Sequence, residues 1–128
     1  MMKTDNANAL VSKIKELGSN SEYDCTLMFS GGKDSSYLLY YLTQELGLKV
    51  VTITLTHKFL AKETLQNIES FASKYSKKHI TVENNYLNYA GTHFLQTWIK
   101  TPEEGSLITL CTGCRLGLIK IIIDTARK

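Results

Sequence analysis

The chain has 128 residues, of which 43% are hydrophobic and 21% charged, with a formal net charge of +3. That length and balance describe one globular domain, small for an α/β fold, and exclude a disordered or low-complexity chain. The mild positive charge permits a polyanionic partner without requiring one, and ordinary surface lysines account for it.

The opening residues, Met1-Met2-Lys3-Thr4-Asp5-Asn6, contain no apolar core of a signal peptide, and no run reaches the length of a membrane span. Three cysteines in such a chain point to reduced thiols in the cytoplasm rather than a disulfide framework.

Asp5 and Asn6 read as helix caps, followed by Ala7, Leu10, Val11, Ile14 and Leu17 at helical spacing and a stop at Gly18. Residues 1–18 therefore form an N-terminal helix, and 19–22 a connector. Residues 23–29 are the first strand, apolar enough to be buried on both faces. Cys25 lies near its start and reads as core. The stretch Ser30-Gly31-Gly32-Lys33-Asp34-Ser35 follows. It sits between a strand and a helix over 35–46, which Gly47 stops.

The chemistry of that stretch follows from its residue types. Gly31 and Gly32 let the backbone curl so that N–H groups point inward. The helix start adds unpaired donors and partial positive charge, Ser30 and Ser35 add hydroxyls, and Lys33 a full charge. The sum is a phosphate cradle. Its spacing matches neither the Walker A loop nor the dinucleotide turn.

Residues 49–55 form a β-branched second strand, so strand, helix and strand make a right-handed crossover with the cradle at the carboxyl end of the first strand, where open α/β sheets bind ligands. Thr56 and His57 open the turn after this strand, and His57 reads as a solvated loop residue. A helix over 62–75 follows, then a third strand over 79–83, a break at Asn84-Asn85 and a helix over 86–100 that Gly91 weakens. After a turn at 101–105 comes Cys111-Thr112-Gly113-Cys114-Arg115, then an apolar segment, 116–127, whose length favours a helix. In Cys111-x-x-Cys114, Gly113 permits a tight turn, and Arg115 with the coming helix favours thiolates. Two cysteines are half of a zinc or iron–sulfur site.

The run Ser30-Gly31-Gly32-Lys33-Asp34-Ser35 after a buried strand resembles the PP-loop of the ATP pyrophosphatase superfamily, the adenine nucleotide alpha hydrolase-like enzymes. Together with the Cys-Thr-Gly-Cys run it is most similar to the N-acetyl sugar amidotransferases, and next to the tRNA thiolation enzymes. The resemblance covers 23–128 as a PP-loop core. It implies a Rossmann-like three-layer α/β fold with a short parallel sheet ordered 3-2-1 and helices on both faces.

It also implies ATP and Mg²⁺ as cofactors, with Ser30, Gly31, Gly32, Lys33, Asp34 and Ser35 binding the nucleotide and Asp34 on the metal. ATP would be cleaved to AMP and pyrophosphate, with AMP passing to a carbonyl-like oxygen of a small-molecule or RNA acceptor before amide or sulfur transfer. Lys33, Asp34, Cys111 and Cys114 would carry the chemistry. The cysteines would act as a persulfide carrier, as a zinc or iron–sulfur site shared between chains, or as a structural pair. Where the family commonly has an acidic residue after the second strand, this chain has Thr56 and His57.

The chain also stops where the family's fourth strand would begin. A homodimer or a partner chain covering strand 23–29 and helix 115–127 is the consequent expectation, because an apolar edge without Pro or Lys demands cover. The alternative function is a nucleotide-binding module, or one subunit of a split enzyme, without complete catalysis by itself.

Overall fold

The second strand is the element on which the sheet is built. Among the described residues the three strands, β1 (Cys25–Met28), β2 (Val50–Thr56) and β3 (Lys78–Glu83), form one sheet with β2 in the centre. In this computed structural model the backbone is described for residues 2–103 and 106–127, and side chains for 8–103, 112 and 115–127. β1 pairs parallel to β2, Cys25 opposite Val50 through Met28 opposite Ile53. The third strand runs the same way, since Lys77 N–H donates to the Val50 carbonyl at its start and Asn84 N–H to the Thr56 carbonyl at its end. The expected order and direction are those observed.

β2 is buried on both faces. Val50 joins a cluster with Phe29, Leu39, Leu48, Ile68 and Ala72, while Val51 and Ile53, on the alternate face, are buried as well. A strand sealed on both sides needs layers on both sides, which is the three-layer arrangement. β1 departs from expectation. Regular pairing covers only Cys25–Met28, and the strand is half-buried, with Met28 exposed. An edge strand has one neighbour, and its apolar composition does not bury it by itself. Cys25 does pack against the core cluster, as expected.

The helices differ from the sequence reading mainly at their ends. Helix α1 (Met2–Gly18) already includes Asp5 and Asn6, so these do not cap it. Among its described side chains Ile14 packs on the core cluster, while Leu10 and Leu17 are exposed. Helix α2 (Lys33–Tyr40) starts two residues earlier than expected and runs into a π-helical turn, Tyr41–Glu45. The Thr43 hydroxyl donates to the Leu39 carbonyl at 2.9 Å, the group that an α-helix would offer to the Thr43 N–H, and the wider turn follows. Leu46 N–H then reaches the Tyr41 carbonyl, and Gly47 closes the segment at φ +64°. Helix α3 (Lys62–Tyr75) has the expected bounds. Both crossovers step the same way across the sheet, so α2 and α3 lie side by side, and Tyr40 meets Tyr75 edge-on with ring centres 5.7 Å apart.

Helix α4 (Asn85–Lys100) is capped by buried Asn84, whose side chain accepts from Leu87 N–H at 3.0 Å. Gly91 does not break α4. It is buried, and a Cβ there would stand 3.0 Å from the Phe59 ring, so the missing side chain makes room for that contact. The last helix, α5 (Ser106–Ala126), begins well before the expected 116. It packs on α4, and Leu116, Ile119 and Ile123 form an exposed stripe along it.

The chain divides into two compact units, Met1–Thr54 with Lys62–Ile80, and Leu55–Ala61 with Thr81–Lys128. The first holds β1, α2, α3 and the core cluster. The second holds α4, α5 and the segment after β2, which is tied to α4 by a 2.7 Å bond from Lys58 N–H to the Asn88 side-chain oxygen. Among the described residues, no helix is long and apolar enough to cross a membrane.

Candidate functional site: a glycine loop at the start of a helix

The loop 30–35 lies wholly within the first unit, and its two ends are anchored differently. Its upstream end is Phe29, which is fully buried and stacks on Phe71 with ring centres 5.9 Å apart. The Phe29 N–H donates to the Ile53 carbonyl, and its own carbonyl accepts from the buried Thr54 hydroxyl at 2.6 Å. The last peptide before the loop is thereby held on β2. Its downstream end is the first turn of α2, seated by the fully buried Leu39.

Between these anchors the chain turns at Gly31, which has φ +73°. A Cβ on Gly31 would stand 2.4 Å from Ile68 Cγ1, well inside contact distance. Two constraints therefore select glycine, the left-handed backbone and the close approach to α3. Gly32 is the N-cap residue of α2, extended at φ −74° and ψ 165°, with no side chain capping the helix. The first-turn N–H groups of Lys33, Asp34 and Ser35 have no partner within the helix, and they carry its positive end.

The two serines organise the loop from within. Ser30 Oγ and Ser35 Oγ are 3.1 Å apart, Ser35 Oγ donates to the Gly32 carbonyl at 3.1 Å, and Gly32 N–H donates to Ser30 Oγ at 3.4 Å. Residues 30–34 are exposed and Ser35 half-exposed. The loop is thus a preformed turn with hydroxyls, backbone donors and an ammonium group accessible to a ligand. All six residues singled out from sequence are brought together here. Sequence reading missed the supports underneath, Thr54 and Ile68, because each reaches the loop from more than twenty residues away.

Such a loop suits a phosphate chain. A cradle whose floor leaves no space for a Cβ brings the main chain close to the anion, and the helix start supplies donors and partial charge. Asp34, exposed in the first turn of α2, is available to a divalent cation.

The cysteine pair has a different setting from the expected one. Cys111 and Cys114 lie inside α5, not in a turn ahead of a helix, and their side chains are outside the described residues. They fall in the second unit, whereas Cys25 and the loop 30–35 fall in the first. Among the described residues, no three His, Cys, Asp or Glu side chains are placed to hold a metal ion. Burial, with Asp24 adding to it, pushes the Cys25 thiol up, which disfavours the thiolate. His57 belongs to the second unit, and its ring nitrogen Nδ1 is buried with no partner among the described residues. It is not simply a solvated loop side chain.

No family model matches the chain. The uncharacterized protein MJ1599 of Methanocaldococcus jannaschii is 32% identical over 103 residues, which are 80% of this chain and 34% of that protein. Two solved structures are similar. An NH3-dependent NAD synthetase from Campylobacter jejuni, in complex with the nitrate ion, matches with a TM-score of 0.62 and 18% identity over 94% of this chain and 50% of its own. An NMN synthetase from Francisella tularensis matches with a TM-score of 0.61 and 16% identity over 97% of this chain and 50% of its own. This chain shares their fold. It spans about half the length of those two structures and about a third of the curated relative it matches.

Proposed function

We propose that the chain binds ATP with Mg²⁺ at the loop 30–35 and serves a PP-loop type adenylation. In that reaction ATP is cleaved to AMP and pyrophosphate, and the AMP passes to a carbonyl-like oxygen of an acceptor. The observation that carries this reading is the preformed loop itself, a Gly31 turn pressed onto Ile68 and opening α2 with Lys33 and Ser35 at its rim. The fold shared with two synthetases is consistent with it.

The chain's own groups have definite tasks in this reading. Backbone N–H groups of the first turn of α2, with Lys33, Ser30 and Ser35, stabilise the negative charge that grows on the departing phosphates. Asp34 holds the metal ion, directly or through water. Bound there, Mg²⁺ would supply positive charge against the phosphates. Amide or sulfur transfer would follow, as the resemblance to sugar amidotransferases and tRNA thiolation enzymes suggests, with a small molecule or an RNA as acceptor and the cytoplasm as the setting. Cys111 and Cys114, three residues apart on α5, belong to that second step as a sulfur carrier or as half of a metal site shared between chains. Replacing both by serine should then leave ATP binding intact and abolish transfer.

A second chain fits this reading. β1 is an edge strand among the described residues, with Met28 exposed, and α5 separately presents Leu116, Ile119 and Ile123. We propose that a homodimer or a partner chain covers them, and light scattering at low micromolar concentration tests it.

The decisive experiment for the function is pyrophosphate release from ATP, measured with and without candidate acceptors. Release that Lys33→Ala abolishes supports the adenylating reading. Tight ATP binding without release under any of these conditions supports the nucleotide-binding module instead. Absence of binding removes both.

A further inference from the structure

A cleft of about 300 Å³ opens in the first unit at the start of the strands. Lys49, just ahead of β2, and Lys74 and Lys77, from the end of α3 and the turn before β3, all line it, together with Tyr75, Ser76 and Gln44. β1 separates it from the loop 30–35, by roughly 13 Å at 3.3 Å per residue over that strand.

Among the described residues lining the cleft none is Asp or Glu, and none of the three lysines is ion-paired there. The nearby Asp24 carboxylate is engaged on the Lys49 backbone N–H at 2.7 Å and not on its ammonium group. The end of α3 favours nearby cations, which accounts for Lys74 and Lys77. It does not account for Lys49, which arrives from a separate segment. Lys74 Nζ lies 5.0 Å from the centre of the Tyr75 ring, so this ammonium rests on an aromatic wall lining the cleft. Three like charges around one concavity repel each other, and an anion between them relieves that repulsion.

Because three lysines with no ion-pair partner among the described residues line one cleft, we infer a second anion site, selective for a small polyphosphate. A monocarboxylate brings one charge to three cations, whereas pyrophosphate brings several, and lysine binds phosphate as a point charge without needing planar geometry. The volume is that of a small-ligand pocket. A nucleic-acid strand would instead need a basic groove with successive stacking rings, whereas the three lysines line a single concavity.

The test is a titration of the full chain with inorganic pyrophosphate at constant ionic strength, read at individual backbone amides by NMR. Lys33→Ala weakens the loop 30–35 and leaves the cleft as it is. In that variant the amides of Gly47, Ser76 and Lys77 should still shift on titration. In a Lys49→Gln/Lys77→Gln variant those shifts should need about a hundredfold more ligand, at roughly tenfold per charge-assisted contact. The Gly31 and Gly32 amides should respond there as in the parent. Both substituted lysines are exposed, and unchanged amide spectra before titration establish that the variant folds. Shifts confined to the loop, cleft affinity unchanged by the two substitutions, or cleft shifts produced by an oligonucleotide and not by pyrophosphate would each overturn the inference.

Discussion

Gly31→Ala is the sharpest perturbation available, because two separate costs converge on one atom. The backbone cost comes from φ +73°, a left-handed conformation that costs an L-residue about 1–2 kcal/mol. The packing cost comes from a Cβ 2.4 Å from Ile68 Cγ1. Ile68 is fully buried in the core cluster and has little room to retreat, so overpacking adds about 1–3 kcal/mol. The total is about 2–5 kcal/mol, a shift of roughly 1–2.5 M in the urea midpoint at a slope of about 2 kcal/mol/M. Ile68→Ala separates the two costs. It destabilises by itself by about 2–5 kcal/mol, but in its background Gly31→Ala should cost only the backbone share. The double-mutant cycle should therefore show a favourable coupling of about 1–3 kcal/mol. Urea titrations of the four proteins measure it, and calorimetry with ATP and Mg²⁺ on the same samples reports whether the loop still binds. Additive effects within a few tenths of a kcal/mol would refute the argument that Ile68 is the floor of the turn.

Lys33→Ala should weaken ATP at least about tenfold, the loss of one charge-assisted contact, while Asp34→Ala should remove the Mg²⁺ dependence of binding; calorimetry with both variants checks this. Thr54→Val keeps the shape and removes the 2.6 Å bond to the Phe29 carbonyl, leaving a buried acceptor short of a partner. It should cost about 1–3 kcal/mol in urea unfolding. Burial holds the His79 imidazole below its ordinary value of 6.5, with the Glu69 carboxylate partly opposing. The unfolded chain therefore takes up a proton first, so stability should fall as pH drops below about 6.5 toward the folded value and be fully present above it. His79→Asn should flatten that dependence in urea midpoints measured across the window, and an unchanged slope would exclude His79 as its source.

The loop 30–35 was legible because its signal is local. A glycine pair between an apolar strand and an apolar helix admits few conformations, and the six residues that form the turn are contiguous. β2 was legible for the same reason, since β-branched residues crowd one short run. The supports of the loop were not, because Thr54 and Ile68 become neighbours of it only through the sheet and the crossover helix. The start of α5 was misjudged at Thr112-Gly113, which reads locally as a turn. A mid-helix glycine costs about 1 kcal/mol, and packing along α4 outweighs that. The basic cleft was invisible in the sequence for a related reason. Lys49 lies 25 residues before Lys74, and nothing between them signals that they share a wall.

The division of the chain into two units has an optical consequence. The sole tryptophan, Trp98, lies in the second unit, on α4, while Tyr23, Tyr37, Tyr40, Tyr41 and Tyr75 all lie in the first. Tryptophan emission, excited beyond the tyrosine band, is therefore a signal of the second unit alone. The near-ultraviolet dichroism of tyrosine comes mainly from the first, where Tyr37 stacks on Tyr41 and Tyr40 meets Tyr75 in fixed geometry. One denaturant titration observed by both signals thus sets the second unit against a signal weighted toward the first, to which Tyr86, Tyr89 and Trp98 of the second unit also contribute, with no label added to the chain.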